Sequence, residues 1–100
     1  MDVQTNIDGT KATVAVEGNM TVSTAPELEA VLEALPAEVV DVDLDLTNLV
    51  YVASAGLRVI VAQAKRSNAA GGTMRLLHPN EEVMEVLDVT GLLEVLNVES

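Results

Sequence analysis

The chain has 100 residues, of which 49% are apolar and only one is aromatic. This length is enough for one domain with one core, which we expect to span residues 1–100 and to be built from aliphatic side chains. Sixteen acidic and five basic residues give a net charge of -11. Such a charge repels nucleic acid and anionic membranes, and it suits either a basic partner surface or simply solubility.

Cysteine is absent and His78 is the single histidine, so disulfides, thiol chemistry and multi-histidine metal sites are excluded. We expect no cofactor and no metal. The opening residues, MDVQTNIDGT, are acidic and alternating, unlike a signal peptide. No apolar run reaches the length needed to span a membrane. The sequence therefore predicts a soluble, cytoplasmic protein.

The first half of the chain begins with two alternating segments joined by Asp8-Gly9, which predict a β-hairpin whose second strand ends at Gly18. The segment TAPE (24–27) is typical of a capping box, and the amphipathic helix behind it should end at Pro36. Residues 40–46 alternate apolar side chains with aspartates, which predicts a strand with one acidic face. We interpret residues 47–52 as a connection.

In the second half, apolar residues at helical spacing over 57–64 predict a helix that Gly71-Gly72 ends. A strand over 73–77, a helix capped by Asn80 and a last strand over 95–98 follow. The order β-β-α-β-α-β-α-β predicts an α/β fold with a mostly parallel mixed sheet. Because its strands alternate in polarity, we expect helices on one face of the sheet only.

Ser54 lies in the turn that leads into the second predicted helix. A serine at such a place most often caps the helix. Alternatively, its hydroxyl is an exposed acceptor for a phosphate, which the free N–H groups of the helix end would stabilise. A hydrolase nucleophile is a third reading, but the glycine of that motif is replaced by Val52, and His78 is the single candidate base. We therefore predict that the protein is not an enzyme.

Two further groups of charges have two readings each. Three aspartates follow one strand face and predict either a solvated surface or a divalent-cation site: Asp41, Asp43 and Asp45. Three cations follow the outer face of the Ser54 helix and predict either a solvated helix face or contacts with acidic groups on a partner: Arg58, Lys65 and Arg66.

Several segments resemble the STAS domains, the sulphate transporter and anti-sigma factor antagonist family. They are DLDLTNLVYVASAGL (43–57) with RVI (58–60), VEGNM (16–20) with TAPEL (24–28), and VTGL (89–92), so the resemblance covers nearly the whole chain. For a single-domain member it implies an anti-sigma factor antagonist whose partner is an anti-sigma factor, itself a serine kinase. That kinase phosphorylates the serine matching Ser54 and so releases itself, which regulates transcription by partner switching.

The resemblance also implies a partner-binding surface made of one loop, one strand end and one turn. Its residues are Met20, Thr21, Val22, Ser23, Thr24, Asp45, Ala53, Ser54, Ala55, Gly56, Leu57 and Arg58. Asp45 matches an aspartate of the family and should shape the loop after its strand. Ala53 and Thr21 depart from the family pattern, in which Asp or Ser precedes the phosphorylated serine and an acidic residue is common near position 21.

Those two departures leave a second reading open, a non-switching STAS subunit of a transporter ATPase or signalling assembly. We expect a monomer or weak dimer. Many family members carry a helix after the last strand, and since this sequence stops at Ser100 we expect some apolar surface near that end to be uncovered.

Overall fold

The computed structural model describes residues 1–99 as one mixed α/β unit. The strands are β1 (Asp2–Asp8), β2 (Lys11–Met20), β3 (Asp41–Asp45), β4 (Leu49–Val52), β5 (Met74–Leu77) and β6 (Asn97–Glu99). The helices are α1 (Ala25–Glu33), α2 (Ser54–Ala69) and α3 (Glu81–Val89), and a 3-10 turn spans Leu92–Glu94. None of the helices in this described part is long and apolar enough to cross a membrane.

The sheet has the order β1-β2-β3-β5-β6, with β4 paired to the end of β2. The β1–β2 hairpin is antiparallel and every other pair is parallel, which confirms the predicted mostly parallel mixed sheet. Buried residues of the three helices and the inward side chains of the strands form one aliphatic cluster. Its largest fully buried members include Met20, Leu28, Leu44, Ile60 and Leu76. The helices therefore pack on one face of the sheet, as the alternating strands indicate.

The end of β2 differs from the prediction. The strand does not stop at Gly18 but continues to Met20, and a bulge between Gly18 and Asn19 redirects it from β3 to β4. Gly18 has a φ of 104°, a conformation that favours glycine, and its N–H donates to Asn48 O over 3.0 Å. The glycine thus bends the strand instead of ending it.

The connection predicted over residues 47–52 was also wrong in part, because its last four residues form β4. This strand is only four residues long, LVYV, and it has no alternation that would mark it in the sequence. It pairs with residues more than thirty positions earlier, Gly18 to Met20. The observed order is therefore β-β-α-β-β-α-β-α-β.

The helix boundaries lie close to those expected. α1 ends at Glu33, before Pro36, and α2 ends at Ala69, before Gly71. α3 is capped as predicted, since Asn80 Oδ1 accepts a hydrogen bond from Val83 N at 2.8 Å. Near the C-terminal end, Val89 and Val95 are among the most exposed large apolar side chains.

Candidate functional site

The Ser54 turn joins β4 to α2 at the edge where the parallel strands end. Ala53 is extended (φ -92°, ψ 169°) and occupies the N-cap position, and the helix begins at Ser54. The prediction that Ser54 caps this helix was therefore wrong by one residue, and no side chain caps it. Ser54 is exposed. Its hydroxyl lies at the first helical position, where the first N–H groups of a helix lack partners within the helix. Gly56 N already donates to Ala53 O over 2.9 Å, so the N–H groups of Ser54 and Ala55 are the ones this applies to.

The loop Thr21–Thr24 lies beside this turn, because Ala53 N donates to Met20 O over 2.8 Å. Thr24 sits at the N-cap position of α1, yet its hydroxyl does not cap the helix. It accepts from Thr21 N and donates to Asn19 O, both at 2.8 Å. The predicted capping box is thus replaced by hydrogen bonds that fix the loop, although Pro26 does lie in the first turn of α1.

Val22 is the tip of that fixed loop, with 75% of its surface exposed. An apolar side chain so exposed on a loop whose backbone is held by hydrogen bonds is available for contact with another molecule. Val22 and Arg58 line a shallow depression of about 190 Å³ between α1 and α2. The rest of its lining is Ala25, Pro26, Glu29, Ala55 and Val59.

Three of the predicted site residues are buried and support the surface from beneath. Met20 is fully buried, and Gly56 and Leu57 are buried in the first turn of α2. The exposed or partly exposed members are Thr21, Val22, Ser23, Thr24, Ala53, Ser54, Ala55 and Arg58. The structure therefore brings together all the predicted residues of the loop and the turn. Their contact with a partner stays a prediction.

Asp45 lies apart from this group, on the face of the sheet that no helix covers. It lines a groove there with Asp2, Glu17 and Asn48. Its Oδ1 accepts hydrogen bonds from Thr47 Oγ1 at 2.6 Å and Thr47 N at 3.0 Å, and these bonds lower the pKa of the carboxyl. Asp45 therefore orders the turn between β3 and β4, which agrees with the expected shaping of that loop.

The acidic face of β3 is not simply solvated, because Asp43 is only 5% exposed. Its carboxylate accepts from Arg75 Nε at 2.8 Å and Arg75 Nη2 at 2.6 Å, and Lys11 Nζ lies 2.9 Å away. The hydrogen bonds from Arg75, aided by Lys11, lower the pKa of Asp43 against the opposing effect of burial. Asp41 accepts from Thr73 N and Oγ1. Each aspartate thus has protein partners, and residues 1–99 contain no cluster suited to a metal ion.

Comparison with known proteins decides the family. The family model described as "Mlab, STAS domain" matches residues 3–97. The chain belongs to the STAS domain family. This agrees with the resemblance in the sequence.

Among the relatives of this STAS domain is an anti-sigma-B factor antagonist of Staphylococcus epidermidis. It is 35% identical over 86 residues, which are 85% of this chain and 80% of the relative. The crystal structure of an anti-sigma factor antagonist from Mycobacterium paratuberculosis has a TM-score of 0.86 at 20% identity, over 98% of this chain and 84% of that one. The phosphorylated form of SpoIIAA from Bacillus has a TM-score of 0.78 at 15% identity, over 99% and 92% of the two chains.

Sequence reasoning missed two exposed apolar residues beside the STAS Ser54 turn, Val50 and Tyr51 of β4. Tyr51 is the chain's one aromatic residue, and it is 45% exposed although β4 pairs it with Asn19. Its identity was a usable signal, because tyrosine is enriched in protein–protein interfaces. Because residues 47–52 lack alternation, their pattern predicted a connection there instead of a strand with an exposed face.

Proposed function

We propose that this STAS domain is an anti-sigma factor antagonist of the cytoplasm. It binds an anti-sigma factor, a serine kinase, through the loop Met20–Thr24 and the turn Ala53–Arg58. Phosphorylation of Ser54 releases the kinase, which then returns to its sigma factor, so transcription is regulated by partner switching. The observation that carries the proposal is the exposed Ser54 hydroxyl at the start of α2, beside the loop fixed by the Ala53–Met20 hydrogen bond.

The geometry supports a binding role because exposed apolar and charged side chains lie on the segments that adjoin Ser54. Val22 and Tyr51 offer exposed apolar area, and Arg58 adds an exposed cation on a chain that is otherwise strongly acidic. Interfaces of signalling proteins commonly combine such anchors with a polar rim. Met20, Gly56 and Leu57 are buried directly beneath these exposed residues.

The same geometry supports release by phosphate. In the transfer, Ser54 Oγ loses its proton and attacks the γ-phosphorus of ATP, and ADP leaves. The product carries about two negative charges at pH 7. Free N–H groups at the start of α2 tolerate those charges, so the fold is kept. An apolar or acidic partner surface packed over Ser54 does not tolerate them, because a charge would be buried there without a counter-ion.

The test begins with an anti-sigma factor serine kinase and ATP, followed by intact-mass measurement. We expect one added phosphate on the wild type and none on Ser54→Ala. Ser23→Ala is the matched control, since Ser23 is exposed in the facing loop, and it should still take one phosphate. No added phosphate, or phosphate on Ser23 or Thr24, would refute the proposal that phosphorylation of Ser54 releases the partner.

Binding is tested with the same purified kinase. Ser54→Asp should weaken the complex, whereas Asn68→Asp, which adds the same charge at the other end of α2, should not. A partner ATPase that is bound equally by wild type and Ser54→Asp would favour the alternative, a non-switching STAS subunit of a transporter or signalling assembly. Ala53, where the family often has Asp or Ser, is the feature that favours this alternative.

A further inference from the structure

The five cations of the chain differ in how they are paired. Lys11 and Arg75 bind the carboxylate of Asp43. Arg66 donates through Nε and Nη2 to Gln63 Oε1, at 3.2 and 2.9 Å. Within residues 1–99, Arg58 and Lys65 have no carboxylate oxygen within 4 Å. Arg66 has no carboxylate partner either, but Gln63 holds its guanidinium. Among the described residues, Arg58 and Lys65 are both exposed on α2 and have neither an ion pair nor a side-chain hydrogen bond.

Arg58 lies four residues after Ser54 on α2, and both side chains are exposed. Residues at this spacing are neighbours on one helix face. Lys65 lies eleven residues from Ser54, roughly 16 Å along the axis at 1.5 Å per residue. Glu29 of α1 lines the same depression as Arg58, but it does not come within ion-pair distance of it.

We propose that Arg58 is the intramolecular partner of a phosphate on Ser54, and that phosphorylation releases the bound protein partly by withdrawing Arg58 from an acidic group on it. The inference rests on the proposed function, since it takes Ser54 as the phosphorylated residue. Before modification, Arg58 is the unpaired cation beside the Ser54 turn. After modification, its guanidinium donates to the phosphate oxygens, which arginine binds in a planar, two-pronged geometry.

In this arrangement, one phosphate on Ser54 weakens binding of the partner in two ways. The phosphate adds negative charge at the surface, and it also removes the positive charge that the partner's acidic group had bound. Because the helix fixes the spacing of residues 54 and 58, no rearrangement of the backbone is needed. The small structural cost agrees with a fold whose loop and turn are already held by hydrogen bonds.

The pairing is tested on protein made with phosphoserine installed at position 54, so that no kinase is required. Phosphorus NMR then follows the titration of the phosphate against pH. In Arg58→Gln the titration midpoint should move upward by about 0.3 pH units or more relative to the wild type, because the dianion has lost a neighbouring cation. Arg58→Lys should reduce this upward shift, and the matched control Lys65→Gln should leave the midpoint at the wild-type value. Identical midpoints in wild type and Arg58→Gln would overturn the pairing.

The withdrawal is tested by affinity for a purified anti-sigma factor serine kinase. Arg58→Gln should weaken the unmodified complex, and phosphoserine 54 should then reduce affinity by a smaller factor in Arg58→Gln than in the wild type. Equal factors would refute withdrawal even if the pairing stands. Failure of a kinase to phosphorylate Ser54 would instead count against the proposed function and leave the NMR result intact.

Discussion

Met20 and Gly56 touch so closely that residue 56 has no space for a side chain. A Cβ on Gly56 would lie 2.8 Å from Met20 Cγ, closer still to its sulfur, and 2.9 Å from Val52 Cγ2. Met20 is the last residue of β2 and is fully buried. The first turn of α2 can therefore sit directly on the end of β2, and this contact sets the loop Thr21–Thr24 beside Ser54.

Gly56→Ala should accordingly destabilise the protein by about 1–3 kcal/mol, the usual cost of overpacking a core. The added methyl forces Met20 or Val52 to move, and neither side chain has solvent to move into. Urea denaturation followed by circular dichroism measures the change, with the slope of the transition checked for a two-state loss.

A double-mutant cycle with Met20→Ala identifies the cause. Met20→Ala removes the Met20 Cγ and sulfur that the new methyl meets and leaves Val52 Cγ2. The two changes together should therefore cost less than the sum of the single changes. Strictly additive costs would show that the Met20–Gly56 contact is not the source of the strain.

Local pattern was enough to predict most of the secondary structure. The alternation in β2 and the helical spacing in α1 and α2 report which side chains face the core, and burial confirms them. In β3, Val42 and Leu44 are buried as predicted, but Asp43 between them is buried too. β4 was missed because its four residues carry no period, and its pairing depends on the bend at Gly18. That bend arises from a partner distant in sequence, which no local pattern records.

The site was predictable only in outline. The Ser54 turn followed from the family resemblance, but its cap position depends on the exact residue at which α2 begins, and helix ends are poorly fixed by sequence. Thr24 has the right type and position for a cap, yet tertiary contacts with Thr21 and Asn19 take its hydroxyl. Asp43 could be assigned to a strand face, but its burial by Arg75 of β5 depends on strand order.

A side chain caps α3 but not α2, so substitutions at the two helix starts should differ in their effect on stability. Ser54→Ala should change the free energy of unfolding by less than about 0.5 kcal/mol, because the exposed hydroxyl does not cap α2. Asn80→Ala should cost about 1–2 kcal/mol, since it removes the cap of α3 and the bonds from Asn80 Nδ2 to Leu49 O and Val50 O. Equal costs in chemical denaturation would contradict this assignment of caps.

Tyr51 leads to a prediction about binding instead of stability. Tyr51→Ala should weaken the complex with an anti-sigma factor serine kinase about tenfold or more, because tyrosine is enriched among the few interface residues whose truncation costs most of the binding energy. Ile7→Ala is the control, because Ile7 is also 45% exposed but lies in β1, away from the Ser54 turn. Titration calorimetry that gives both variants the same affinity would remove Tyr51 from the proposed surface.

The Asp43–Arg75 pair leads to a prediction about pH. The folded-state pKa of Asp43 is lowered, chiefly by the hydrogen bonds from Arg75. A carboxyl of this kind adds stability above its unfolded pKa, close to 3.8, and loses that contribution as pH falls through the lower folded-state pKa. Asp43→Asn should therefore cost about 1–3 kcal/mol at pH 7, and the difference from wild type should shrink below about pH 4.

The pKa of Asp45 is also lowered. Because wild type and Asp43→Asn both contain Asp45, its contribution cancels from the difference in stability between them. Arg75→Gln is the second variant, because it removes the largest cause of the lowered pKa and leaves Asp43 in place. In an Arg75→Gln background, the Asp43→Asn substitution should lose most of its dependence on pH. If the difference between wild type and Asp43→Asn stays constant from pH 7 to about pH 2, the ion pair does not stabilise the fold through the charge of Asp43.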